Sequence, residues 1–299
     1  MLKHTVLEQT LLHTPSLRSQ PHRHRRIKRR RLGSSCVRAQ SSVVEEQLCR
    51  FAARRAVDEF VTSGQVLGLG HGTLVNYAIE YIAELLQLGE LQRVNCIPGS
   101  DLTASEAAFQ GVPLTALALV DQVDVMLTEA DELDTSEHPM SFVTGRIQAP
   151  QQPQLLKTRM LIDHSEKVVA ILAREQKARG RLGNALPIVI EGGENWEEAA
   201  EELDSMFLGD AEVWRRPSSS SGISNPRGEP FPYTSPEGHA ILDVRFYGSF
   251  KLDGKQVPYE ELLTAIEGVP GVVTHGLFHK AASAAVLAAP DGPVLLPTG

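Results

Sequence analysis

Two stretches of this chain hold residue types whose spacing could do chemistry. The first is Gly68-Leu69-Gly70-His71-Gly72-Thr73. It follows an apolar run and precedes a segment of helical character. Its backbone N–H groups would therefore gather at a helix N-terminus, where the macrodipole favours a phosphate or carboxylate. Thr73 adds a hydroxyl donor. The loop lacks the sixth-position glycine of G-x-G-x-x-G and the Lys-Ser/Thr of a P-loop, so it supports neither a dinucleotide site nor an NTP site. A tight strand-to-helix turn with no ligand accounts for the same residues, and both readings stand. The second stretch is Thr128-Glu129-Ala130-Asp131-Glu132-Leu133. Its carboxylates are of the type that carries protons or stabilises developing charge. Asp131 and Glu132 fit a helix cap equally well, and Glu129 fits a solvated charge.

The elements around these stretches are predicted from periodicity. Leu48, Phe51, Ala52, Val57 and Phe60 fall mostly at helical spacing, and Ser63-Gly64 ends that pattern. Val66–Leu69 then reads as a buried strand, Gly70–Thr73 as a loop and Leu74–Leu88 as a helix, which together open a parallel α/β sheet. Further apolar runs at Arg93–Ile97, Leu114–Leu119, Val123–Leu127, Val168–Leu172 and Pro187–Ile190 extend the sheet, with Lys157–Ser165 as a crossover helix. Strands buried on both faces explain why these runs do not alternate. After residue 190 an acidic helix at Trp196–Phe207 precedes strands at Ala240–Phe246, Gly271–Phe278 and Ala284–Ala289, around a helix at Tyr259–Ile266. That is the pattern of a small α+β domain. Residues 217–236 hold five Pro and six Ser and are expected to be a disordered insert. The expected division is 1–42, 43–190 and 191–299, with the final segment, about 271–299, open to a return to the main sheet.

These segments, together with Val269-Pro270-Gly271-Val272-Val273, resemble the ribose-5-phosphate isomerase A family over roughly residues 45–295. The resemblance implies a Rossmann-like parallel-sheet domain of the isomerase, deaminase and CoA-transferase type with a smaller α+β domain. In that family the first loop has the form G-x-G-T-G-S-T and holds the sugar phosphate, so Gly70, His71, Gly72 and Thr73 become phosphate-binding candidates. Arg50 lies at the distance of a helper basic residue. A second, Ser-rich loop matches Pro98-Gly99-Ser100-Asp101-Leu102-Thr103, which adds Ser100 and Asp101.

The family's D-G-A-D-E loop becomes Thr128-Glu129-Ala130-Asp131-Glu132. Asp131 is the surviving aspartate and Thr128 stands for the lost one. The K-G-G-G loop becomes Phe142-Val143-Thr144-Gly145-Arg146, and an ungapped count puts Thr158 at the family's catalytic Glu. The D-A-S-K segment becomes Ala173-Arg174-Glu175-Gln176-Lys177. By lineage the implied activity is aldose–ketose interconversion of ribose 5-phosphate and ribulose 5-phosphate in the non-oxidative pentose phosphate pathway, with no cofactor and no metal. Threonine cannot act as a base near neutral pH, and positioned proton transfer contributes roughly 10²–10⁴-fold. The expected site is therefore degenerate, with Glu129 or Arg146 as replacement groups. The alternative is a non-catalytic phosphosugar-binding protein or a regulatory partner of an active homologue, as a homodimer or a hetero-oligomer.

Charge is divided unevenly. Residues 1–42 hold 10 of the 29 Lys and Arg but one of the 37 acids, so residues 43–299 carry 19 basic and 36 acidic residues, a net of −17. Such a body should repel nucleic acid. The basic, Ser-containing start, with a short amphipathic stretch at Leu2–Leu12, has the composition of an organelle transit peptide, and cleavage near Val37-Arg38-Ala39-Gln40 would fit. A basic nucleic-acid-binding arm is the rival reading, and no aromatic residues interleave its arginines. Composition does not separate chloroplast from mitochondrion. The resemblance to the plant and algal organellar type favours the chloroplast stroma. No apolar run approaches the length of a bilayer span, so a soluble protein is expected. Cys36, Cys49 and Cys96 form no pairing pattern, and the histidines show no metal-ligand spacing.

Overall fold

The computed structural model describes residues 33–146, 154–174, 177–192, 196–218, 226–228 and 232–296. The chain divides into two units, Met1–Gln40 and Ser41–Gly299, and every element after α1 belongs to the second. The amphipathic stretch expected at Leu2–Leu12 lies outside the described residues. In order, the elements are α1 (Gly33–Phe60), β1 (Val66–Leu69), α2 (Thr73–Leu88), β2 (Asn95–Pro98), α3 (Asp101–Phe109), β3 (Val123–Glu129), β4 (Glu132–Asp134) and β5 (Met140–Val143). There follow α4 (Leu155–Asp163), β6 (Ser165–Leu172), β7 (Ala178–Arg179), β8 (Gly183–Ile190), α5 (Trp196–Met206), β9 (Ala211–Arg215) and β10 (Ala240–Ser249). The chain closes with α6 (Tyr259–Glu267), β11 (Val272–His275), β12 (Leu277–Ala282), β13 (Ala284–Leu287) and β14 (Val294–Leu296).

The main sheet runs β14-β13-β6-β3-β1-β2. Its pairs are parallel except β13–β14. The alternation of a strand is visible in β6. Val169 and Ile171 pack with Ala52, Ala56 and Ile79 of α1 and α2, while Val168, Ala170 and Leu172 face the stacked pair Phe142 and Phe278. Burial on both faces is what makes the segment read as one continuous apolar run. A second, antiparallel sheet runs β11-β8-β10-β9, with Leu203 of α5 and Leu262 and Ile266 of α6 packed in its core. A third runs β12-β5-β4-β7.

Four expectations meet a different arrangement. Leu114–Leu119 is not a strand: Leu114 makes a lone bridge to Cys96 and residues 117–119 form a single tight turn. Leu114 and Leu119 lie exposed there, and only Leu117 of the run packs against the core. Pro187–Ile190 joins the antiparallel sheet rather than the parallel one, because Leu186, Ile188 and Ile190 face α5 and α6. Gly271–Phe278 is divided between two sheets at Gly276, whose N–H donates to Pro187 (2.8 Å) and whose carbonyl accepts from Thr144 N (2.9 Å). A Cβ at Gly276 would lie 2.6 Å from Pro187 Cγ, so the close approach requires glycine. Within the expected insert, the described residues are tied down: Tyr233 N donates to Arg216 O (2.8 Å) and Arg215 N to Pro226 O (2.6 Å). Ala284–Leu287 pairs in parallel with β6 in the main sheet. Among the described residues no helix is long and apolar enough to cross a membrane.

Candidate functional site

In a parallel sheet, ligand sites form where loops leave the carboxyl ends of the strands. Here the loops after β1, β2 and β3 interlock. Gly70 N donates to Leu127 O (2.8 Å) and Gly99 N to Leu69 O (2.6 Å). The hydroxyl of Thr103 donates to Gly70 O (2.8 Å). At Gly70 a Cβ would stand 2.7 Å from Thr128 Oγ1, so glycine is what lets the loop lie against β3. Ser100 caps α3, its Oγ accepting from Thr103 N (3.0 Å). Asp101 points outward, accepting from Lys157 Nζ (2.7 Å) and Gln154 Nε2 (3.1 Å), and so links α3 to α4. The Lys157 ammonium, then the Gln154 amide, holds the Asp101 carboxyl below its usual range. Both residues thus carry structural bonds.

Glu129 ends β3 and turns its carboxylate into the first turn of α2. Its Oε2 accepts from Leu74 N (3.0 Å), and the residue is 5% exposed. That first turn has no acid of its own and no side-chain cap. Glu129 therefore supplies the negative charge a helix N-terminus favours, and it is not a solvated charge. Its backbone carbonyl accepts from the Thr144 hydroxyl (2.8 Å). Gly72, at φ 124°, brings the backbone close: a Cβ there would collide with the carboxylate and stand 2.8 Å from Glu129 Cδ.

Asp131 and Glu132 cap no helix. Asp131 Oδ2 accepts from Arg146 N (2.9 Å), and Glu132 Oε2 accepts from Arg146 Nη2 (2.8 Å). The same guanidinium donates to the carbonyls of Ala185 (2.6 Å) and Gly183 (2.5 Å). Arg146 is thereby an anchor between the loop after β5 and β8. Thr128 and Thr158 are both buried. Thr128 Oγ1 and both ring nitrogens of His71 have no hydrogen-bond partner among the described residues, although His71 is 8% exposed and Thr128 1%. Burial pushes the His71 imidazole below its ordinary value, and the Asp131 carboxylate acts in the opposite direction. Polar atoms of His71, Thr128, Glu129 and Asp131 thus gather at the strand ends.

Arg50 does not join them through its bonds. It pairs with Glu46 (3.2 Å) and with Glu80 of α2, and lies 4.1 Å over the Tyr77 ring. A residue missed from sequence supports the site from below. Arg216 is fully buried, binds Asp243 through Nη2 (2.5 Å) and Nε (3.1 Å), and donates to Gly145 O (2.9 Å). The signal was an acid, Asp243, inside the apolar run Ala240–Phe246. Among the described residues no group of His, Cys, Asp and Glu could hold a metal ion.

The family profile described as Ribose 5-phosphate isomerase A (phosphoriboisomerase A) matches residues 95–292. The ribose-5-phosphate isomerase A of Roseiflexus sp. (strain RS-1) is 32% identical over 254 residues, covering 85% of this chain and 97% of the relative. That of Gloeobacter violaceus is 34% identical, covering 83% and 95%. Among solved structures, ribose 5-phosphate isomerase from Plasmodium falciparum superposes with a TM-score of 0.70 at 27% identity, over 84% of this chain and 98% of the other.

Proposed function

The chain belongs to the ribose-5-phosphate isomerase A family, and on that premise we propose that it is an aldose–ketose isomerase by descent whose interconversion of ribose 5-phosphate and ribulose 5-phosphate is slowed by missing acid–base groups. One observation carries this reading. Thr128 and Thr158 stand, buried, at the positions where the resemblance expects an aspartate and the catalytic glutamate. Moving a proton between C1 and C2 needs a base beside those carbons and polarising groups for the enediolate oxygens. Asp131 retains its carboxylate, but one oxygen already accepts from Arg146 N. A non-catalytic phosphosugar-binding or regulatory partner is favoured by the same observation, since the framework persists where the reacting groups do not.

The ligand proposed is a phosphorylated sugar, held weakly at the Gly70–Thr73 turn, in a homodimer or a hetero-oligomer with a homologue. An organelle is the proposed location, on the strength of the basic residues of 1–42, and the chloroplast stroma is proposed over the mitochondrion only on the resemblance to the plant and algal organellar type. An isomerase assay on the natural protein tests the proposal. Turnover should lie at least about a thousandfold below that of an intact family member. The pair Thr128→Asp with Thr158→Glu should raise it, and the two belong together because catalytic groups acting as a unit are not additive. Ordinary turnover by the natural chain would overturn the reading.

A further inference from the structure

We propose that Glu129 is an internal ligand: its carboxylate occupies the N-terminus of α2 and competes there with any external oxyanion, phosphate included. This deepens the reading above, since it names the residue that weakens the site's hold on a phosphorylated substrate. The geometry is specific. Glu129 Oε2 takes the N–H of Leu74, a first-turn donor of α2, at 3.0 Å. α2's first turn holds no acid and its cap residue, Gly72, makes no side-chain cap bond, so Glu129 supplies the carboxylate at this helix end. The backbone of Gly72 lies so close to that carboxylate that a Cβ would have no room. A second anion at the same N–H groups would either displace Glu129 or lie against it in a buried place where like charges repel strongly.

The flanking polar atoms give the site a second character. His71 and Thr128 are more than nine-tenths buried and present ring nitrogens and a hydroxyl without partners among the described residues. His71 is held toward its neutral form by burial. Each of these groups can donate or accept a hydrogen bond, as a sugar hydroxyl also does. With Glu129 in place, the site is biased towards the polyol part of a sugar and against its phosphate.

Calorimetric titration of the full chain with inorganic phosphate, beside Glu129→Gly and Glu129→Gln, tests this. Glycine clears the cradle, and glutamine keeps the volume while removing the charge. Phosphate affinity should rise by about tenfold or more in Glu129→Gly and by a smaller factor in Glu129→Gln. Phosphate should also raise the melting temperature of Glu129→Gly more than that of the natural protein. Unchanged phosphate affinity in either folded variant would overturn the proposal, and Glu129→Gln keeps the test decisive should the glycine variant fail to fold. Because binding is read without turnover, fast isomerisation by the natural chain would defeat the slow-enzyme reading, while the role of Glu129 would still be decided by the phosphate titration.

Discussion

His71 stands where the family pattern has a threonine, and its imidazole is buried beside Asp131. His275 is buried too and is pushed below its ordinary value, first by desolvation and then by Arg159, with Glu267 opposing. In both cases the unfolded chain takes up the proton first as pH falls. Stability is therefore complete above about 6.5, the ordinary histidine value, and is lost as pH drops from there towards the folded-state values. The melting temperature should fall between about pH 7 and pH 5, and His71→Asn and His275→Asn should each shallow the slope. A flat profile would contradict this. Backbone conformation sets the next expectation. Gly72 and Gly89 both have positive φ, but only Gly72 has Glu129 against it. Gly72→Ala should destabilise by about 1–3 kcal/mol, and by more than Gly89→Ala, in urea unfolding. The glycine loop was legible from residue types alone, whereas Thr128 and Thr158 drew notice only against the family resemblance. The direction of the Glu129 carboxylate was not legible, because it depends on which face of β3 meets α2, a fact of sheet register that no local pattern states.

At the level of elements, the parallel sheet was legible because strands covered on both faces leave unbroken apolar runs, as in Val168–Leu172 of β6. The same signal misassigned β8. An apolar run says that a strand is buried but not in which sheet, and the partners that decide it, β10 and β11, lie far along the chain. Arg216 and Asp243 show what such distant pairing does for the site. The pair is buried, and Arg216 also donates to Gly145 O, next to the Arg146 that binds Asp131 and Glu132. Removing one partner leaves an uncompensated buried charge. Arg216→Met should cost roughly 3–5 kcal/mol, whereas adding Asp243→Leu to it should restore a good part. A double-mutant cycle by urea unfolding checks this, and additive losses would show that the two residues are not coupled.

On the scale of the whole unit, the chain leaves the main sheet after β6 and returns beside it as β13, so the other two sheets lie mostly within an excursion between neighbouring strands. Such an excursion could melt alone if few bonds crossed its base. Here they do cross. Arg159 of α4 donates to the carbonyls of His275 (3.1 Å) and Leu277 (3.0 Å) and lies 3.9 Å over the Phe278 ring. The Tyr259 hydroxyl of α6 donates to Asp134 Oδ2 in the third sheet (2.6 Å) and accepts from Leu182 N (2.8 Å). Phe142 and Phe278 of the third sheet fill the core beneath the main one. Residues 41–299 should therefore unfold in a single transition, with calorimetry and far-ultraviolet circular dichroism giving the same midpoint. Two resolved transitions would mean that these contacts are too weak to couple the sheets. The net charge of −17 over residues 43–299 adds a condition to the test. An acidic body repels itself, so raising the salt concentration from about 0.05 to about 0.5 M should lift the common midpoint while leaving the transition single. A split that appears only at low salt would show that charge repulsion, not missing contacts, separates the sheets.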